Sequence, residues 1–591
     1  MSLSKETSTV TIDHIPVEII SKIFSYLKTR HRKVASLVCS KWRNATRCPS
    51  FYRTLRLHKG LYLDEPPLSL FQNSYHPFSV IIFDDIDEFT QDISEFWKVV
   101  AESVRELHFR SCEGLDQFEL CTLLSHLKNV NKIKITGTNS INNAKMEKSF
   151  ENIKILDISD TEMPAWYIEA LVGSFPKLQE LNLGSYTYDG WDAPEDYVQN
   201  ISTTAKSSAF GDWVKNLSKL APKVTLFYDY QIVLRTEMIL KEFLEIPNLE
   251  VRSLNIKVEG VQVNALQNFI EIKGKHLQKL EIPDAQLLNE KHLELINNNC
   301  IKLKELKFCF NESSNVPVIE KLSNLCNLTE LVFAGPEPEP ESEPFEFNFT
   351  GKVLQFKEMR SLIISNVKLD SNLVSFKNLL ESCTFLTELS LNDCFINSEG
   401  LKIVYSSCKA LESLHLNCNE QITDNCLFFS NDNLSINDLK YLESLNLNNC
   451  CNITNQSLKK LKFSEIFKLG LREITQISVE GITELCKNCP SITHLDLNGC
   501  ASIDDDCVEI ITKNLHQLQD IDLCGTKTTS KCFEFITENC MEIKNVNISY
   551  QPPKDSKAAE ILLQKRILHF LSALAMNNIC ERLVIPDLGE I

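Results

Sequence analysis

The phrase Leu386-Thr-Glu-Leu389-Ser-Leu391 recurs as Leu411-Glu-Ser-Leu414-His-Leu416, Leu442-Glu-Ser-Leu445-Asn-Leu447, Ile492-Thr-His-Leu495-Asp-Leu497 and Leu518-Gln-Asp-Ile521-Asp-Leu523. The same spacing returns about every 26 residues from Val104 onward. A unit of that length holds one strand and one helix, too little to bury its own apolar face, so neighbouring copies must stack. Stacked copies form a solenoid with a long surface for holding something. Within each phrase the apolar residues sit two apart, the period of a strand with one face inward. The residues between them, including Asn255, Glu281, Lys307, Ser390, His415, Asn446, Asp496 and Asp522, then point to solvent.

Strand cores fall at Leu107, Ile133, Leu156, Leu181, Val224, Leu254, Leu280, Leu306, Leu331, Leu362, Leu389, Leu414, Leu445, Leu469, Leu495, Ile521, Val546 and Leu583, about 18 units. Strands stack about 4.8 Å apart, whereas helix axes need about 8–10 Å. The strands therefore line the inner side of an arc on the order of 80–90 Å long. Several units continue to a cysteine three residues past the last leucine, as at Cys394, Cys450 and Cys500. Phrases such as Ile422-Thr-Asp424 and Ile453-Thr-Asn455 follow, whose Thr or Asp can cap the next helix. A second cysteine (Cys300, Cys383, Cys408, Cys489, Cys540) stands three residues before the next repeat's first apolar position. This alternation resembles the cysteine-containing class of leucine-rich repeats over about 480 residues. The resemblance implies an α/β solenoid, a leucine-rich-repeat horseshoe with parallel strands on its concave face and helices on its convex face.

A chain of 591 residues would ordinarily divide into several globular domains. A solenoid removes that need, because it grows by adding units. The net charge of −18 is spread along the chain and argues against a broad phosphate-binding surface, so no nucleic-acid partner is expected. Met1 to Ile12 is polar, and no 18 apolar residues run together, so no membrane partner is expected. The most apolar late stretch, Ala558 to Met576, is interrupted by Gln564, Lys565, Arg566 and His569. The expectation is a reducing compartment, cytoplasmic or nuclear, with the 22 cysteines as free thiols. Cys486-Lys-Asn-Cys489 has zinc-like spacing, but no second pair matches it and Cys489 is already a repeat position. No metal or other cofactor is expected. Neither a nucleophile elbow nor a Gly-rich phosphate loop occurs, so the chain reads as a non-enzyme.

Ile15-Pro-Val-Glu-Ile-Ile-Ser-Lys-Ile-Phe-Ser-Tyr-Leu27 reads as one helix, with Pro16 at its first position. Ile15, Ile19, Ile20, Ile23, Phe24 and Leu27 cover about half of its circumference. A second apolar cluster, Val34, Leu37 and Val38, leads to Cys39-Ser-Lys-Trp42. Forty residues in short helices cannot bury so wide an apolar surface alone, so part of it must face something else. The order Ile15, Pro16, Glu18, Ile19, Ile23, Phe24, Tyr26, Leu27, Val38, Cys39, Trp42 resembles the F-box over residues 11–55. It departs in having Ile15 where the family usually has Leu, and in the basic link Lys28, Arg30, His31, Arg32, Lys33.

That resemblance implies docking on a Skp-family adaptor through Ile15, Pro16, Ile19, Ile23, Phe24 and Leu27, with Trp42 holding the segment together. Through the adaptor it implies a cullin and a RING subunit. An F-box followed by leucine-rich repeats looks like the substrate receptor of an SCF-type cullin–RING ubiquitin ligase. The repeats would then bind a protein substrate for ubiquitination and proteasomal degradation. The other readings are a scaffold without ligase role, and a receptor gated by a small molecule. The expected organisation is a disordered stretch at 1–10, the F-box at 11–55, a linker and cap at 56–103, and repeats with a C-terminal cap over 104–591.

Two insertions break the period, near 186–213 and 335–346. The first carries Tyr186, Tyr188 and Trp191, aromatic candidates for substrate binding. The second, Gly335-Pro-Glu-Pro-Glu-Pro-Glu-Ser-Glu-Pro344, reads as a solvated, extended loop. His415, Asn446, Asp496 and Asp522 complete the substrate candidates. After Gln551 to Lys557 an amphipathic helix and a strand at Leu583-Val-Ile585 are expected to cap the end.

Overall fold

The computed structural model describes residues 15–27, 29–46, 53–58, 78–86, 100–112, 115, 117–137, 148–159, 161, 165–184, 213–230, 237–256, 263–282, 288, 290–309, 319–335, 356–369, 373–429, 434–529, 531–548, 571–573 and 580–582. The chain divides into two compact units, Met1–Arg252 and Ser253–Ile591.

The first unit opens with three short helices, α1 (Val17–Phe24), α2 (Thr29–Ala35) and α3 (Ser40–Thr46). A parallel ladder follows: β1 (Thr54–His58), β2 (Val80–Asp84), β3 (Glu106–Arg110), β4 (Lys132–Thr136), β5 (Ile155–Asp157), β6 (Glu180–Gly184) and β7 (Thr225–Tyr230). Register aligns Leu55, Ile81, Leu107, Ile133, Leu156, Leu181 and Leu226 in one inward column. Phe83 and Phe109 stack in the next column at 5.1 Å.

Two expectations change here. The ladder begins at Thr54, at the end of the stretch read as F-box, and its second strand, Val80–Asp84, lies in the stretch expected to be linker and cap. Ile82 sits at the outward position of β2 yet is buried, so the period of two that marks a strand is hidden there. The strand core expected at Val224 is Leu226, because Leu181 pairs with Leu226 and an irregularity follows between Asn182 and Gly184.

The strands of the second unit continue the same logic. After β8 (Leu249–Asn255), whose last residues open this unit, come β9 (Lys279–Ile282), β10 (Glu305–Cys309), β11 (Glu330–Ala334), β12 (Ser361–Ser365) and β13 (Glu388–Asn392). Then follow β14 (Ser413–His415), β15 (Ser444–Asn446), β16 (Lys468–Gly470), β17 (His494–Asp496), β18 (Asp520–Asp522) and β19 (Asn545–Asn547). Every neighbouring pair from β8 to β19 is parallel and in register, with Leu280, Leu306, Leu331, Leu362, Leu389, Leu414, Leu445, Leu469, Leu495, Ile521 and Val546 in one buried column. Helices such as Leu373–Ser382, Ser398–Ser407, Val479–Asn488 and Asp505–Asn514 link successive strands. The architecture is the expected leucine-rich-repeat solenoid.

The repeat is built on hydrogen bonds that cross from one copy to the next. Cys394, Cys450 and Cys500 donate their thiols to the carbonyls of Ile364, Leu416 and Leu471 in the preceding copy, at 3.3, 3.1 and 3.0 Å. Burial pushes the thiols of Cys450 and Cys500 up to about 12, which leaves them protonated and inert at neutral pH. The helix-closing cysteines Cys300, Cys383, Cys408, Cys489 and Cys540 are all buried as well. Asn397, Thr454 and Asp504 cap the helices that follow them. Thr423 makes no such bond; instead Asp424 accepts from the N–H and hydroxyl of Thr454 in the next copy, at 3.0 and 2.6 Å.

Leu571–Ala573 pairs antiparallel with Cys580–Arg582. The residues directly after Lys557, where the amphipathic helix is expected to begin, and the strand expected at Leu583 lie outside the described residues. Among the described residues no helix is long and apolar enough to cross a membrane.

Candidate functional site

The helices α1–α3 divide their apolar residues into two sets. Ile20, Phe24, Ala35 and Ala45 form a small closed core, with Ile15, Val17, Leu27 and Trp42 packed around it. Phe24 meets Trp42 edge to face at 5.1 Å, and Ser21 ties α1 to α3 by donating its hydroxyl to the Ala45 carbonyl at 3.0 Å. Pro16 stands one place ahead of the helix, as its cap, and its carbonyl receives the N–H groups of Ile19 and Ile20 at 3.1 and 3.2 Å.

The second set faces outward. Ile19 is 52% exposed, Ile23 49%, Tyr26 78% and Leu37 76%, with Val34 and Val38 exposed alongside. Alternate residues of one wide apolar wheel thus serve different ends, Ile20 and Phe24 closing the bundle and Ile19 and Ile23 greasing its surface. Phe24, expected among the docking residues, is 3% exposed and supports that surface from beneath. Tyr26, Val34, Leu37 and Val38 are exposed as well, though the sequence reading did not place them among the docking residues. The signal available was their hydrophobicity in a segment too small to bury them.

The strand face of each unit carries a ladder of charges. Lys132 pairs with Glu106 at 3.4 Å and Lys134 with Asp157 at 3.2 Å in the first unit. In the second, Lys279 pairs with Glu305 at 3.0 Å and Lys307 with Glu330 at 2.6 Å, and the Glu330 carboxylate holds the Lys307 ammonium above its ordinary range. Of the substrate candidates, His415, Asn446, Asp496 and Asp522 share one outward row, with Gly470 between Asn446 and Asp496. A Cβ at Gly470 would come within 2.4 Å of the Asn446 side chain, so glycine makes room for that amide.

Three of these candidates have a local task. Asn446, Asp496 and Asp522 each accept the N–H two residues on, from Asn448, Asn498 and Cys524, at 3.1, 3.0 and 3.0 Å. Such turns are what Asn and Asp favour at a strand's end. Burial, followed by the neighbouring Asp522 charge, raises the Asp496 carboxyl above its ordinary value. His415 is half-buried, contacts the Ser413 hydroxyl at 3.1 Å, and is held below its ordinary value by burial. Tyr186, Tyr188, Trp191 and the acidic Pro-Glu run lie outside the described residues. Among the described residues no His, Cys, Asp and Glu cluster could hold a metal ion.

Known proteins match in the same two places. The F-box-like family matches residues 12–58, and the Leucine Rich repeat family matches residues 382–402 and 488–509. The BTB/POZ domain-containing protein FBL11 of Arabidopsis thaliana is 31% identical over 160 residues, 26% of this chain and 16% of that one. The F-box/LRR-repeat protein 4 of Bos taurus is 25% identical over 180 residues, 30% of this chain and 28% of that one. The chain therefore spans less than a third of the length of either relative. A crystal structure of a yeast Rad7 and Elc1 complex covers 93% of this chain and 97% of its own at 14% identity, but a TM-score of 0.28 is too low to transfer anything. The chain carries an F-box-like domain near its N-terminus, followed by leucine-rich repeats.

Proposed function

We propose that this chain is the substrate-recognition subunit of an SCF-type ubiquitin ligase. Its F-box binds a Skp-family adaptor, the adaptor links it to a cullin and a RING subunit, and the repeats hold a protein substrate for ubiquitination and degradation. The observation that carries the reading is the exposed set Ile19, Ile23, Tyr26, Val34, Leu37 and Val38 on a bundle whose core closes without them. Ile19 and Ile23 stand one turn apart on α1 and are exposed together, and an exposed apolar helix face on so small a domain marks a contact with another protein.

The chain's own part in the reaction is positional. A repeat ladder in register from β8 to β19 can hold a substrate so that its lysines meet the ubiquitin thioester, which raises their effective concentration. On this reading the protein works in the cytoplasm or nucleus.

The test is a reconstituted reaction with adaptor, cullin–RING pair, ubiquitin-conjugating enzyme and the full chain. Ubiquitin transfer to the chain or its co-purifying substrate is expected with wild type and lost with Ile19→Asp/Ile23→Asp. Equal transfer by the double variant, or none by wild type, would contradict the proposal.

A further inference from the structure

We propose that the partner docked on α1 is acidic at the contact and sets a carboxylate against the ammonium of Lys22. The inference rests on the adaptor-binding reading of the same helix face and adds the charge that selects the partner and speeds its arrival.

Lys22 stands within the exposed apolar face of α1. It follows Ile19 by three residues and precedes Tyr26 by four, spacings that place side chains on one side of a helix. Lys22 itself is exposed, and its Nζ lies over the Tyr26 ring, 5.5 Å from the centroid. Among the described residues no carboxylate reaches that ammonium, although Glu18 is exposed one turn earlier. A protein that covers Ile19, Ile23 and Tyr26 strips water from the charge between them. A charge buried in this way is costly unless it is paired. The partner's contact surface therefore carries the missing carboxylate.

The charge around Lys22 points the same way. From Ile19 to Leu63 the sequence holds eleven Lys and Arg and not one Asp or Glu, in a chain whose net charge is −18. Some of these cations serve the fold, as Arg56 does in pairing with Asp84 at 3.5 Å. Others stay at the surface of the helical bundle. Arg43 is exposed, and its Nε donates to the Ser36 carbonyl at 3.4 Å, which tethers it to the turn that exposes Leu37 and Val38. A cationic surface raises the encounter rate with an acidic partner and rejects a basic one. Nucleic acid would need the cations themselves in a row to follow its phosphates. A helix lying on a membrane keeps its cations on the face away from its apolar residues. Lys22 is the one cation of α1, and it is set among apolar side chains. Residues three and four apart on one helix face are what a groove in another protein reads.

The test measures association and dissociation of a purified Skp-family adaptor on the full chain by surface plasmon resonance. For wild type the association rate is expected to fall about tenfold from about 50 to about 500 mM sodium chloride. Lys22→Glu is expected to bind about tenfold or more weakly, chiefly through faster dissociation, with thermal unfolding unchanged. If that variant shifts the unfolding curve, Lys22→Gln carries the measurement. Arg43→Glu is expected to slow association and leave dissociation as it is. Among adaptor variants with single acidic residues changed to Lys, at least one should restore binding to Lys22→Glu. Binding that ignores both salt and Lys22→Glu, or restoration by none of those variants, would overturn the proposal and leave the adaptor reading standing. No binding by wild type at either salt would overturn both. Phosphatidylserine vesicles and single-stranded RNA are run alongside. Loss of either by Lys22→Glu, with adaptor binding unchanged, would overturn the proposal in favour of that polyanion.

Discussion

Phe24 on α1 meets Trp42 on α3 edge to face, with ring centroids 5.1 Å apart. Phe24 belongs to the core of the bundle and Trp42 packs against it, so neither is a clean probe of docking. Phe24→Ala is expected to cost about 3 kcal/mol or more, enough to open so small a bundle. Hydrogen exchange over residues 15–46 should show protection lost there and kept in the strands. Retained protection would move Phe24 out of the core.

Asn419 is buried, and its side chain bonds main-chain groups of two successive repeats. Its removal leaves several of those groups unpaired at once. Asn419→Ala is expected to destabilise the second unit by about 3 kcal/mol or more, read as a lower urea midpoint. A change below about 1 kcal/mol would show that the network relaxes around the gap.

Strand exits in the second unit turn through left-handed backbone at Asn366, Asp393, Cys418, Asn449, Glu473, Gly499 and Gly525. Glu473 takes this conformation at φ 60° with an ordinary side chain, and Gly525 at 69° with glycine. Glu473→Gly is expected to stabilise by about 1 kcal/mol. Gly525→Ala is expected to destabilise by about 1–2 kcal/mol, because its new Cβ would also lie 3.2 Å from the Gly499 backbone. Thermal unfolding of the two variants reads both signs.

His415 and His494 are each held below their ordinary value of 6.5, burial being the leading cause. The folded chain keeps both imidazoles neutral where the unfolded chain begins to bind protons. Acidification from about pH 6.5 downward therefore favours the unfolded state, and this contribution to stability falls as pH falls. Urea midpoints from pH 7.5 to 5.5 should drop, and His415→Gln/His494→Gln should flatten the slope. An unchanged slope would mean that other groups set the pH dependence.

The parallel ladder was legible because leucines two apart at a fixed repeat leave one assignment open, as at Leu389, Leu414 and Leu445. It was illegible at β2, where Ile82 is apolar on the outward side and erases the alternation, whereas at β1 the alternating Leu55 and Leu57 straddle the boundary set between F-box and linker. The exposed apolar set of the helical bundle was half legible. The wheel of α1 showed a surplus of apolar residues, but nothing local separates Ile19 from Ile20, whose roles depend on where α3 lies. Asn446, Asp496 and Asp522 looked like free recognition groups because a sequence does not show that each already holds the turn behind it.

The central claim is that Ile19 and Ile23 face a partner. The most direct measurement is capture of a purified Skp-family adaptor by the full chain, wild type against Ile19→Asp/Ile23→Asp, with thermal unfolding of both. The account predicts capture by wild type, loss of about tenfold or more in the double variant, and matching unfolding curves. Undiminished capture by the variant, or none by wild type, would contradict it.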